Sequence, residues 1–180
     1  MLAPLIRTSQ APIAQTPVLR VRGRHRQKVS VAAALFRSAK TGKARLVHET
    51  FVDHYIDDFL YACFLREKVV HGARRPLVLL HDSAPMHRGQ WTQDALEDLS
   101  GRMVMHELPA YAPELNPVEQ LWTWTKYQQL ANFVPEDLDQ LTIVTEYVVN
   151  TAEHDQRRLQ TFFKAADLPW VPGQDFSDYR

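Results

Sequence analysis

Acidic residues are missing from the whole opening quarter of this 180-residue chain, since Met1 to His48 contains no Asp and no Glu. No carboxylate ligand for a hard metal ion can come from that segment. Cysteine is almost as scarce. Cys63 is the only one, which excludes an internal disulfide and a cysteine-based metal centre. It falls in a helical pattern, Tyr61-Ala62-Cys63-Phe64-Leu65, and is expected to be a small buried apolar residue. Long apolar runs are also absent. None reaches bilayer length, and Met1 to Arg7 lacks the basic and then apolar stretches of a secretory signal. A cytoplasmic protein with no membrane partner is expected. With 45% hydrophobic residues the chain can bury one full core, so a single domain is expected.

What the opening quarter does hold is positive charge. Residues 1–48 carry ten of the 21 Lys and Arg residues, which leaves 11 basic against 21 acidic residues in the remainder, a net of minus ten. The formal charge of zero hides this asymmetry. Arg20, Arg22, Arg24, Arg26 and Lys28 place five permanent charges in nine residues, a density that attracts phosphate backbones by counterion release. A solvated basic hairpin without a partner has the same composition.

Periodicity predicts alternating strands and helices. Lys28 to Phe36 alternates Val29, Val31, Ala33 and Leu35, and Ala44 to Phe51 follows the turn-like Lys40-Thr41-Gly42-Lys43, so a β-hairpin is expected. Val52, Tyr55, Ile56, Phe59, Leu60, Cys63 and Phe64 recur at helical spacing, with Thr50 as a possible cap and Gly72 as a stop. A continuous apolar strand runs to Leu80 after Pro76. A helix is expected around Gln90 to Leu99, a strand from Arg102 to Leu108, and helices after Pro117, over Pro135 to Asn150 and over Asp155 to Ala166. This order favours helices packed on a mostly parallel or mixed sheet. The polar tail from Pro169 to Arg180 is expected to fray.

Two acids stand at chemically useful places. Asp82 follows the run Leu77-Val78-Leu79-Leu80, and such a strand delivers its end into the crevice where ligands collect. An ordinary cap of the turn Ser83-Ala84-Pro85 is the competing role. His81 and His87 flank it without metal-ligand spacing and are read as polar crevice walls. Glu119 lies three residues after Asn116, with Pro117 between them, the spacing of a capping box in which Glu119 turns back on the Asn116 amide. Lys126, further along that helix, could meet a phosphate or pair with Glu119. Two carboxylates of this kind can also share divalent cations, as in phosphodiester-cutting enzymes.

The segment Leu108-Pro109-Ala110-Tyr111-Ala112-Pro113-Glu114-Leu115-Asn116-Pro117-Val118-Glu119-Gln120-Leu121-Trp122 resembles the third-carboxylate motif of DDE transposases related to mariner, in the bacterial insertion-sequence-630 group. Leu79-Leu80-His81-Asp82-Ser83-Ala84-Pro85-Met86-His87 resembles that group's second-Asp motif, and similarity extends through Ala11-Pro12, Thr16-Pro17 and Arg22-Gly23-Arg24. The resemblance implies an α/β RNase H-like fold, a mixed sheet with flanking helices, over residues 1–168, with a basic hairpin segment in 1–48 and a tail over 169–180. It implies that Asp82 and Glu119 are catalytic and metal-binding, that magnesium or manganese fills a two-metal site, and that DNA, as transposon ends and target, is the partner. The first Asp of such enzymes ends a strand that would precede Met1. A truncated or split transposase is therefore expected, inactive alone and needing an N-terminal half or a second copy. A non-catalytic DNA-binding or regulatory remnant and a protein-interaction module are the other readings.

Overall fold

Val29–Arg37 (β1) and Ala44–Val52 (β2) form an antiparallel hairpin in which Ala34 faces Val47 and Leu35 faces Leu46. The loop between them closes through the Ser38 amide on the Lys43 carbonyl and the Gly42 amide on the Ser38 carbonyl. Gly42 takes φ +67 there, a left-handed conformation that costs glycine least. The apolar run of β1 has no polar face because both sides of the hairpin are covered. The structure, a computed structural model, describes residues 7–8, 11–13, 15, 18, 27–72 and 76–166. The expectations for Arg20 to Arg26 and for the tail lie outside the described residues.

After β2 the chain does not enter a helix at once. Thr50 to Val52 stay in the β2 ladder, Val52 opposite Val29, and the helix begins later, at Asp58–Phe64 (α1), continued by a π-helical turn over Leu65–Val69. The cap is Asp57, whose side chain accepts from the Leu60 amide, and not Thr50. Cross-strand pairing of Thr50 with Val31 outcompetes the helical signal there. Cys63 is only partly buried, which corrects the expectation of a fully buried residue.

Leu77–His81 (β3), a 3-10 turn at Pro85–Arg88, Gln90–Asp98 (α2) and Met103–Glu107 (β4) follow. β3 and β4 pair in parallel, Leu79 beside Met105, with α2 as the crossover. Pro117–Trp124 (α3), extended by a π-helical turn over Thr125–Gln129, Leu138–His154 (α4) and Gln156–Ala165 (α5) complete the described fold. Asp137 and Asp155 cap the last two helices by accepting from the Gln140 and Arg158 amides.

The hairpin sits between two apolar clusters. Ala33, Leu35, Ala44 and Leu46 pack with Leu121, Trp124, Val149, Leu159 and Phe163 from α3, α4 and α5. Ala32, Ala34, Phe36, Val47 and Phe51 point the other way, to Tyr61, Phe64, Leu65, Leu77, Leu79 and Met103. Among the described residues the four strands make two separate pairs, β1 with β2 and β3 with β4. The single mixed sheet expected from the sequence is interrupted, because no described strand lies between β1 and β3.

Candidate active site

β3 ends at His81, so Asp82 leaves the strand at the end toward which both parallel strands run. Its Oδ1 accepts from the Ala84 amide at 3.0 Å, which turns the chain into the Pro85–Arg88 turn. The capping role considered for Asp82 is thus real. His87 approaches the same residue through Nδ1, 2.9 Å from the Asp82 carbonyl and 3.0 Å from Oδ1. Both side-chain contacts use Oδ1, and Oδ2 keeps its lone pairs for another ligand.

Behind Asp82 lies a buried aromatic and imidazole layer. The His87 ring packs on Tyr61 with centroids 4.4 Å apart and on His81 at 4.6 Å. Burial pushes the Tyr61 hydroxyl pKa well up, and the nearby Asp82 charge adds to it. Burial, with His87 next, depresses His81 to about 4 against the raising influence of Glu107 and Asp82. His81 is therefore a neutral, buried ring near neutral pH, and neither of its nitrogens has a hydrogen-bond partner. Glu107, at the end of β4, is held below its usual carboxylate range by hydrogen bonds from Ser83 and then Arg88, the latter also its ion-pair partner. Nothing in the sequence marks Tyr61, Ser83, Arg88 and Glu107 as companions, since only the fold brings them to Asp82.

Glu119 does not form the capping box. The Asn116 side chain accepts from the Val118 amide at 3.1 Å, as an N-cap should, but the Asn116 amide donates to the Pro113 carbonyl at 3.1 Å. That bond closes the 3-10 turn Pro113–Leu115 and removes the donor on which Glu119 would have turned back. Glu119 remains partly exposed in the first turn of α3, whose N-terminus favours a negative charge.

Asp82 and Glu119 line one cavity of about 1440 Å³, together with His81, Asn116 and Lys126. Lys126 is exposed. Lys28, just before β1, has its ammonium 3.3 Å from the centre of the Tyr55 ring, an interaction that a phosphate would have to share or displace. Carboxylates suit magnesium or manganese, which prefer hard oxygen ligands. Among the described residues, however, no three acids, histidines or cysteines form a group able to hold a metal. Two acids in one cavity fall short of the ligand set that a pair of such ions requires.

The order of elements and the acid at the end of β3 define a mixed α/β domain with a cleft at the strand ends. A match to the DDE superfamily endonuclease family covers residues 2–142, and the chain belongs to that family. A comparison with curated proteins gives no match. Among solved structures, the fold is similar to the Mos1 strand transfer complex, with a TM-score of 0.60 and 19% identity over 93% of this chain and 48% of that one. It is also similar to the Mos1 mariner paired end complex with Mn, with a TM-score of 0.58 and 17% identity over 93% and 49%. At this identity the likeness concerns the RNase H-like fold of the Mos1 transposase catalytic domain. The chain spans about half the length of these structures. No helix among the described residues is long and apolar enough to cross a membrane.

Proposed function

We propose that this chain is part of a transposase catalytic domain that cuts and joins DNA strands during insertion-sequence transposition in the bacterial cytosol. The observation that carries this reading is the meeting of Asp82 and Glu119 in one cavity within a DDE-family fold. Asp82 acts as the second catalytic carboxylate and Glu119 as the third. Divalent ions at such a site, when bound, stabilise the attacking and leaving oxygens of phosphodiesters.

The chain's own residues prepare that site in three ways. The Ala84 amide and His87 fix Oδ1 of Asp82, which leaves Oδ2 directed by a rigid turn and not by a free rotor. Failure of the capping box keeps the Glu119 carboxylate available. Lys126, with Lys28 and the basic run Arg20, Arg22, Arg24 and Arg26, supplies cations for the DNA backbone. The remaining carboxylate comes from a further polypeptide segment, either an N-terminal transposase half or a second copy, and alone the chain neither nicks nor joins DNA.

A nicking assay on supercoiled plasmid with magnesium or manganese tests this. Background-level activity is expected from the chain alone, and nicking that disappears in Asp82→Ala would overturn the inactivity. Titration with short duplex DNA should show affinity falling with salt. Replacing the four arginines by glutamine should flatten the log-log slope by about 0.9 for each phosphate no longer neutralised. An unchanged slope removes the basic run from the DNA interface. The incomplete acid group also suits a DNA-binding remnant without catalysis. In that case manganese binding, measured by calorimetry, would be the same for wild type, Asp82→Asn and Glu119→Gln.

A further inference from the structure

The cavity that holds Asp82 and Glu119 extends far beyond them. Every successive residue of β1 from Val29 to Arg37 lines it, and so does every successive residue from Leu77 to Asp82. Side chains of a strand alternate between faces, so a cavity meeting consecutive residues lies along the strand's edge and not over one face. β1 bonds to β2 on its other edge and β3 to β4 on its other edge, and the two pairs share no ladder among the described residues. At about 1440 Å³ the space exceeds the roughly 300–1,000 Å³ of small-molecule pockets.

The composition of both edges is that of interior strands. Val31-Ala32-Ala33-Ala34-Leu35-Phe36 and Leu77-Val78-Leu79-Leu80 carry no charge, no proline and no bulge, whereas natural edge strands are protected by such features. Polar atoms of two residues on the cavity wall are also buried without partners, both ring nitrogens of His81 and the Thr125 hydroxyl. Buried polar atoms are normally satisfied. The direction of the two edges follows from Arg45, opposite Phe36 in the hairpin, whose guanidinium packs over Gly72 shortly before β3. The C-terminal end of β1 therefore lies beside the N-terminal end of β3, and the strands run in opposite senses across the gap.

We infer that the gap between β1 and β3 is a strand-acceptor slot, whose occupant is an extended apolar segment of a second polypeptide. It bonds to both edges at once and merges the two pairs into one five-stranded sheet. Each ladder continues in the type it already has when the incoming strand is antiparallel to β1 and parallel to β3. Its C-terminal end then emerges beside Asp82. Five residues match β3 and nine match β1, or about 17 to 30 Å of extended chain. Main-chain bonds supply affinity in this mode of recognition, and the apolar lining selects the side chains. The inference stands on the strand edges and does not require the nuclease reading.

A nine-residue peptide of alternating valine and isoleucine between lysine flanks tests it on the full chain, followed by amide hydrogen exchange. Alternate amides of both Val29–Arg37 and Leu77–His81 should slow at least tenfold with a saturable rise in thermal midpoint. The same peptide N-methylated on alternate amides should do neither. Protection of one strand alone, of neither, or equal protection by the N-methylated peptide overturns the slot. Two further versions end in aspartate or asparagine. Equal protection by both with no gain in manganese binding from the aspartate leaves the slot standing and sinks the metal-site reading, while failure of all versions sinks the slot alone.

Discussion

The hairpin and the parallel pair are built from equally apolar strands, yet they are covered differently. β1 and β2 are packed on both faces, by α3, α4 and α5 on one side and by α1, β3 and β4 on the other. In the parallel pair, Leu77, Leu79 and Met103 face the core, whereas Val78 and Val104, neighbours across the ladder, are 47% and 44% exposed. The difference shows where stability and chemistry part company. The closed hairpin carries the packing, and the half-open pair carries Asp82 at its end.

Truncation should separate the two regions most strongly. Leu46 is fully buried against the helices, and Leu46→Ala should cost about 2–5 kcal/mol of unfolding free energy. Val78→Ala removes a side chain already half in water and should cost less than about 1 kcal/mol. Urea denaturation midpoints check this, and similar losses at both sites would break the contrast.

Acid should act on the slot side more than on the hairpin side. His81 has a folded pKa of about 4 against an ordinary 6.5. Between those values the unfolded chain binds a proton that the folded chain does not, so stability falls as pH drops from 6.5 toward 4. His48, on β2 with its Nδ1 3.4 Å from Glu153, is also lowered by burial, with the glutamate opposing. Its contribution has the same sign and a smaller reach. Thermal midpoints from pH 7.5 to 4.5 should fall more steeply for wild type than for His81→Gln. Parallel slopes would place the acid sensitivity elsewhere.

The two acids of the cleft make a finer contrast, because one is anchored and the other is not. Asp82→Ala deletes the acceptor for the Ala84 amide and the His87 ring, and should cost about 1–2 kcal/mol. Asp82→Asn keeps an oxygen for the amide and should recover most of this. Glu119→Gln breaks no bond to its own cap and should stay within about 0.5 kcal/mol. A loss at Glu119 matching that of Asp82→Ala would show that its carboxylate is engaged after all.

How far these features were legible depends on whether their cause is local. The runs over β1 and β3 and the caps Asn116 and Asp155 are local, and they fall where the residues predict. Helix α1 begins later than its apolar spacing suggests because the pairing of β2 with β1 extends to Val52, an interaction between segments far apart in sequence. The capping box fails for a similar reason, since the Pro113 carbonyl reaches the Asn116 amide first. Asp82 and Glu119 were visible by position and motif. Tyr61, His87 and Glu107 around them were not, because each arrives on a different element.

Tyr111 tests the smallest effect and the loop that joins these two regions. It lies between β4 and α3, fully exposed, with φ +60, a backbone conformation that a bulky side chain adopts only under strain. Glycine would relieve that strain but adds freedom to the unfolded chain. Tyr111→Gly should therefore raise stability by at most about 1 kcal/mol, read from the urea midpoint. Because its ring packs on no core, a clear destabilisation would mean that the side chain holds the loop leading to Glu119, and the strain would then belong to the site and not to the turn.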